Sequence, residues 1–167
     1  MIDKKLLNYA LKALLVFVSW YLVYHLVMQP QGFDDWMNKA VANGGHWLVG
    51  LFGYNTCLEG TSICVNIIST VHINTGCNGF EIFSIFAGFI VIYDGKWWLK
   101  IIYIIGGVAL LYACNVARVA LLAIDHYENL KLFRFNHKYT YLIIMYAIVV
   151  ALWLLWITKF SKKHEVA

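Results

Sequence analysis

The chain has 167 residues, of which 62% are hydrophobic and 13% charged, and its formal net charge is +4. An ordinary soluble domain is about 45–50% apolar and about 25% charged. A chain this apolar cannot hide its surface in one water-soluble core, so lipid must form part of its solvent. The charge is too small to point to nucleic acid, and with a single proline and few hydroxyl residues no disordered linker is expected. One membrane domain over residues 1–167 is the expectation.

The first apolar run, about 6–27, is long enough to span a bilayer at about 1.5 Å per residue. Lys4, Lys5 and Lys12 mark its start and Gln29-Pro30-Gln31-Gly32 its end. No small-x-small cleavage site follows, which suits a retained anchor rather than a signal peptide. Residues 33–54 mix Asp34, Asp35, Lys39 and Asn43 with Trp36, Val41, Trp47 and Leu51, the pattern of an amphipathic helix at the membrane surface, broken near Gly44-Gly45. The β-branched stretch 63–73 reads as a strand, with Glu59-Gly60-Thr61 as a turn before it. Further spans are expected at about 77–93, 98–124 and 139–157, joined by a short turn at Asp94-Gly95-Lys96 and a polar loop from Asp125 to Lys138.

The expected fold class is therefore all-α: a polytopic integral membrane protein with about four transmembrane helices, an extracytoplasmic amphipathic helix and a short strand or hairpin. An even number of spans puts both termini on one side. With that side cytoplasmic, it holds Lys4, Lys5, Lys12, Lys96, Lys100, Lys159, Lys162 and Lys163, eight of the thirteen basic residues. The outward segment 28–76 then carries Lys39 alone, as the positive-inside rule favours. This places the chain in the cytoplasmic membrane with an outward-facing site.

In this topology three polar residues from three different helices share one outer level. Cys77 opens the second span, Arg118 lies in the last outer turns of the third, and His137 precedes the fourth. A thiol, a guanidinium and an imidazole at one depth suit cysteine-based acyl transfer. A thiol at a helix N-terminus is biased towards the thiolate, and unpaired backbone N–H groups after Cys77 could hold an oxyanion. His137 could move the proton, and Arg118 could bind a substrate carboxylate or oxyanion. The blander alternatives are a packed thiol, an arginine snorkelling to headgroups and an interfacial histidine.

Asn78, Gly79, Glu81 and Asn115 are the supporting candidates. Glu81 would share a helical face with Cys77 and pair with Arg118 or orient His137. Asn115, three residues before Arg118, would fix Arg118 or a backbone carbonyl. Cys57 and Cys64 would face an oxidising compartment and could close a disulfide, whereas Cys114 reads as packing. The four cysteines contain no C-x-x-C pair and His25, His46 and His72 show no ligand spacing, so neither metal nor cofactor is expected.

Thr75-Gly76-Cys77-Asn78-Gly79, then Asn115-Val116-Ala117-Arg118, then a histidine after a short outer loop, resemble the exosortase/archaeosortase family. The resemblance covers mainly residues 75–145. It implies a polytopic membrane cysteine protease or transpeptidase whose triad is Cys77, Arg118 and His137, with His126 as the alternative third member. It also implies a partner: a membrane-tethered exported protein with a C-terminal sorting signal. Two other readings stand beside it. One is a non-enzymatic membrane scaffold or export accessory; the other is a small transporter, for which the first and last spans offer little polar lining.

Overall fold

In the computed structural model, which describes residues 4–161, the chain is mainly helical with one small sheet. Helix α1 (Lys4–Val23) runs on through a π-turn and a 3-10 turn to Gln31. Its apolar residues point outward along most of its length, and the window that qualifies it as a span has no buried residue. Such a helix makes sense only in lipid, where exposed Leu and Phe cost nothing. Gly32 (φ 73°) turns the chain sharply into α2 (Phe33–Leu51).

α2 is continuous through Gly44-Gly45, where a break was expected. A Cβ on Gly44 would sit 3.0 Å from the Val116 methyls, and one on Gly45 only 2.8 Å from Ile63 Cδ1. The two glycines therefore serve close approach to the sheet and to α4, not helix termination. α2 buries Met37, Asn38, Val41, Ala42, Gly45 and Val49, and its main partner is α4. It is a packed element rather than one merely resting on the headgroups.

The expected single strand over 63–73 is two strands. β1 (Thr56–Glu59), β2 (Ser62–Val65) and β3 (Ser69–His72) form an antiparallel sheet in the order β1-β2-β3. Asn66 and Ile67 both take positive φ, 51° and 64°, and reverse the chain between β2 and β3. Asn tolerates that conformation, whereas the β-branched Ile67 hides the turn from a propensity reading. Cys57 and Cys64 are cross-strand partners, Cα–Cα 5.1 Å, and are joined as a disulfide. Closing so short a loop is worth about 2 kcal/mol. Replacing both cysteines with serine should therefore lower thermal stability in detergent by a few degrees while leaving membrane insertion intact.

α3 (Phe80–Ile92) is apolar but only thirteen residues long. α4 (Trp97–Glu128) is the central helix: it contacts α2, α3, the sheet and the C-terminal helices. The expected polar loop 125–138 shrinks to Asn129. Its side chain accepts from the N–H groups of Lys131 and Leu132 and so starts the next helix at once. That helix comprises α5 (Leu130–Phe135), a π-turn (Asn136–Thr140), α6 (Tyr141–Leu155) and a second π-turn reaching Phe160.

Among the described residues three helical stretches are long and apolar enough to cross a membrane: Leu6–Gln31, Trp97–Glu128 and Leu130–Phe160. With the shorter apolar α3 and the three-stranded sheet, they make an all-α polytopic membrane architecture. Of the lysines used for orientation, Lys162 and Lys163 lie outside the described residues.

Candidate active site

The segment after β3 builds the first part of the site. Cys77 N–H donates to Asn74 O at 2.8 Å, closing a turn, and α3 begins only at Phe80. Cys77 therefore sits on a loop ahead of the helix, not in its first turn as expected. Asn78 is buried; its Oδ1 accepts from Phe80 N–H at 2.9 Å while its Nδ2 donates to Asn38 Oδ1 at 3.1 Å. One side chain thus starts α3 and fastens the Cys77 loop to α2.

Gly79 is required by geometry. It holds φ 80°, and a Cβ there would lie 2.9 Å from Asn115 Cγ. Gly79→Ala combines left-handed strain of about 1–2 kcal/mol with that collision. We expect it to lower thermal stability by several degrees and to disturb Cys77 alkylation, a pairing that a thiol-labelling assay across a melt would read.

α4 supplies the second part. Asn115 is fully buried; its Nδ2 donates to Cys77 O at 3.0 Å and its Oδ1 accepts from Arg118 Nη1 at 3.2 Å. The residue expected to fix either Arg118 or a carbonyl does both, and couples the thiol's backbone to the guanidinium. Arg118 is only 9% exposed; among the described residues Asn115 is its one hydrogen-bond partner, and Nε is buried without any. No carboxylate is paired with it among the described residues. A buried cation with spare donors is costly unless an oxygen from outside the chain completes its shell.

The C-terminal helix brings the third part. His137 Nε2 lies 3.8 Å from Cys77 Sγ, a loose contact to sulfur across 60 residues of sequence. Catalytic contacts are often long before substrate tightens them. Phe133, one turn earlier, stacks against His137 with ring centroids 5.7 Å apart and meets His126 edge-on at 4.8 Å. His126 lines the same small cavity as Cys77 and His137, but it is His137 that touches the thiol. The charge of Arg118 is within electrostatic reach of His137. Cys77 and His137 thus meet directly, and Arg118 is tied to the Cys77 loop through Asn115.

A family model described as transmembrane exosortase matches residues 3–155. The chain belongs to the transmembrane exosortase family. No curated protein and no solved structure matches it. The family gives the chain a membrane setting and, in general terms, an exosortase-like function.

Glu81 does not join the site. With Cys77 off the helix, the shared face of Cys77 and Glu81 disappears. Glu81 is exposed and lines a groove of about 600 Å³ between α1 and α3, together with Tyr24, Asp34 and Ser84. It has no hydrogen bond to Arg118 or His137.

Two residues that brace these segments were not among the expected site candidates. Asn38 anchors Asn78 from α2. Asp125 accepts from Asn136 Nδ2 at 2.8 Å and from the Tyr141 hydroxyl at 3.2 Å, bracing the helix that carries His137 against α4. The signal for Asp125 was its place on the Asn115–Arg118 side of the helix. Nothing in the sequence singled out Asn38, which looks like one more polar residue of an amphipathic helix. Asn136→Leu should weaken this brace and slow any reaction that needs His137, with Cys77 still able to react with a small alkylating agent; the two rates measured side by side check it.

Proposed function

We propose that this exosortase-family chain is a cysteine peptidase or transpeptidase that cleaves the C-terminal sorting tag of an exported, membrane-tethered protein at the outer face of the membrane. The observation that carries the reading is the approach of Cys77 Sγ to His137 Nε2 at 3.8 Å, beside a buried arginine that still has donors to offer.

In this reading the Cys77 thiol gives its proton to His137 and the thiolate attacks the scissile carbonyl carbon. The carbonyl π bond opens, and the oxyanion is met by Arg118 and by the backbone N–H groups of Asn78 and Gly79. Collapse of the tetrahedral adduct breaks the C–N bond. The departing amine takes the proton held by His137, leaving the upstream protein on Cys77 as a thioester. An incoming amine or water then gives a proton to His137, attacks the thioester and releases Cys77. Asn115 orients both the Cys77 carbonyl and Arg118, and is a positioning residue.

The proposed orientation puts both termini in the cytoplasm and Cys77 outside, following the lysine distribution. The disulfide between Cys57 and Cys64 supports an oxidising side for the sheet.

The test is co-expression with a tagged protein encoded in the same genome, followed by electrophoresis and thiol labelling from outside. Processing by the wild type together with labelling of Cys77 by an impermeant alkylating agent is the expected result. Processing that persists after Cys77 is quantitatively blocked would remove the thiol from the mechanism. It would leave a scaffold or export-accessory role as the better account.

A further inference from the structure

A small cavity of about 180 Å³ lies beside Cys77 and His137, and its lining includes Thr70, Val71, His72, Ile73 and Asn74 in unbroken succession. Side chains on a strand point alternately to opposite faces. A cavity lying over one face of β3 would meet every second residue. Five consecutive residues put this cavity along the strand's edge instead.

That edge carries unused backbone groups. Among the described residues β3 is the last strand of the sheet, paired only with β2. Antiparallel partners alternate between bonded and non-bonded pairs. Ile73 N–H donates to Thr61 O at 2.9 Å, which makes Thr61 and Ile73 a bonded pair and hence Ile63 and Val71 as well. The other strand boundary agrees: Asn66 N–H bonds Asn55 O on the β1 side, so the even-numbered residues of β2 face β1 and the odd-numbered ones face β3. The backbone N–H and C=O of Thr70 and His72 therefore point away from β2, towards the cavity. Across it stand Val119, Leu122 and Phe133. The slot is too small for a helix 10–12 Å across, but it accepts a short run of extended chain.

We propose that the outer edge of β3 docks an extended segment of the substrate polypeptide as an added strand, with Thr70 and His72 supplying the main-chain hydrogen bonds. This deepens the peptidase reading and rests on it only for the consequence, which is delivery of the scissile carbonyl to Cys77. Main-chain pairing fixes the depth and direction of the segment, and the apolar wall opposite favours an uncharged side chain at the seated position.

The experiment uses the full-length protein in lipid nanodiscs with Cys77→Ala, so that binding is read without turnover. The probe is a fluorescent peptide spanning the junction between the exported domain and the C-terminal tag of a protein encoded in the same genome. Thr70→Pro removes one outward N–H and leaves the ladder to β2 untouched, since proline is tolerated at an outward-facing edge position. It should weaken peptide binding roughly tenfold. The same substitution in the Cys77-containing protein should leave alkylation of the thiol unchanged, which shows that the fold is kept.

A second measurement does not depend on the variant folding: N-methylation of the peptide at successive positions should weaken binding at alternate residues, the period of a paired strand. Methylation that has no effect at any position, or an effect without that alternation, overturns the docking. Intact processing by the Cys77-containing protein in that case leaves the peptidase reading standing. Alternating sensitivity with no processing at all has the opposite meaning: the docking holds and the thiol chemistry falls.

Discussion

Replacing Cys77 with alanine is expected to abolish tag processing while the protein still inserts, folds and reaches its normal level. The loss should be at least about 10³-fold, because no second thiol lines the cavity beside His137. Cys114, the other free cysteine, is a half-buried α4 residue packed against the core. Alanine in place of Cys77 removes the contact to His137 and leaves Asn115 bonded to the Cys77 carbonyl, which belongs to the backbone. Stability should therefore move by less than about 1 kcal/mol. Cys77→Ser is the sharper companion: its hydroxyl can occupy the same place but is a far weaker nucleophile without a strong base. Processing by the serine variant should lie far below wild type, and no hydroxylamine-sensitive adduct should form. A serine variant that works as well as the wild type would mean that the group acts in some way other than by forming a thioester.

The second large effect concerns Arg118, and it has two signs. Arg118→Met should reduce processing by about 10²–10³-fold, the usual cost of removing one oxyanion donor. The same change should leave the fold as stable as before or more so. Among the described residues Arg118, 9% exposed, is bonded only to Asn115, with Nε buried and unpartnered. Replacing an uncompensated buried charge by an apolar side chain of similar length is often neutral or stabilising. Arg118→Lys should not rescue activity, because a single ammonium cannot reach both Asn115 and a substrate oxygen as the planar fork can. A pure structural role predicts the reverse pattern: methionine would unfold the protein and lysine would restore it. Parallel melts and processing assays on the two variants separate the cases.

The membrane character, the helical class and the family could be read along the chain. Composition alone forced the first, since 62% hydrophobic residues in 167 leave no soluble solution. The Cys77-Asn78-Gly79 and Asn115-x-x-Arg118 motifs stood out because a thiol and a guanidinium from different helices fall at one outer level, where a guanidinium is costly. Asn115 was singled out on spacing, and its hydrogen bond from Arg118 is the local consequence of that i, i+3 placement on α4, whereas its bond to Cys77 O crosses 38 residues of chain.

Other features could not be read so directly. The Cys77 loop was taken for helix because the residues after it are apolar, and local pattern does not show that α3 starts only at Phe80, behind the Gly79 cap, with Asn78 Oδ1 accepting from Phe80 N–H. The supposed outer loop proved helical because Asn129 caps a new helix at once, so His137 rides on a rigid element instead of a flexible one. Glu81 was assigned to the site on helical spacing from a residue that is not in the helix, and it lines the α1–α3 groove instead.

The sequence by itself determined what kind of solvent this chain needs and which of its side chains are ionisable or nucleophilic, because hydrophobicity and ionisability belong to residues one at a time. Only the tertiary structure decided that His137 rather than His126 meets the thiol, that Arg118 is left with open donors, and that the edge of β3 borders the site. Those depend on contacts across 38 and 60 residues of chain, and such contacts are set by how α4 packs simultaneously on α2, α3 and the sheet, which no local pattern encodes.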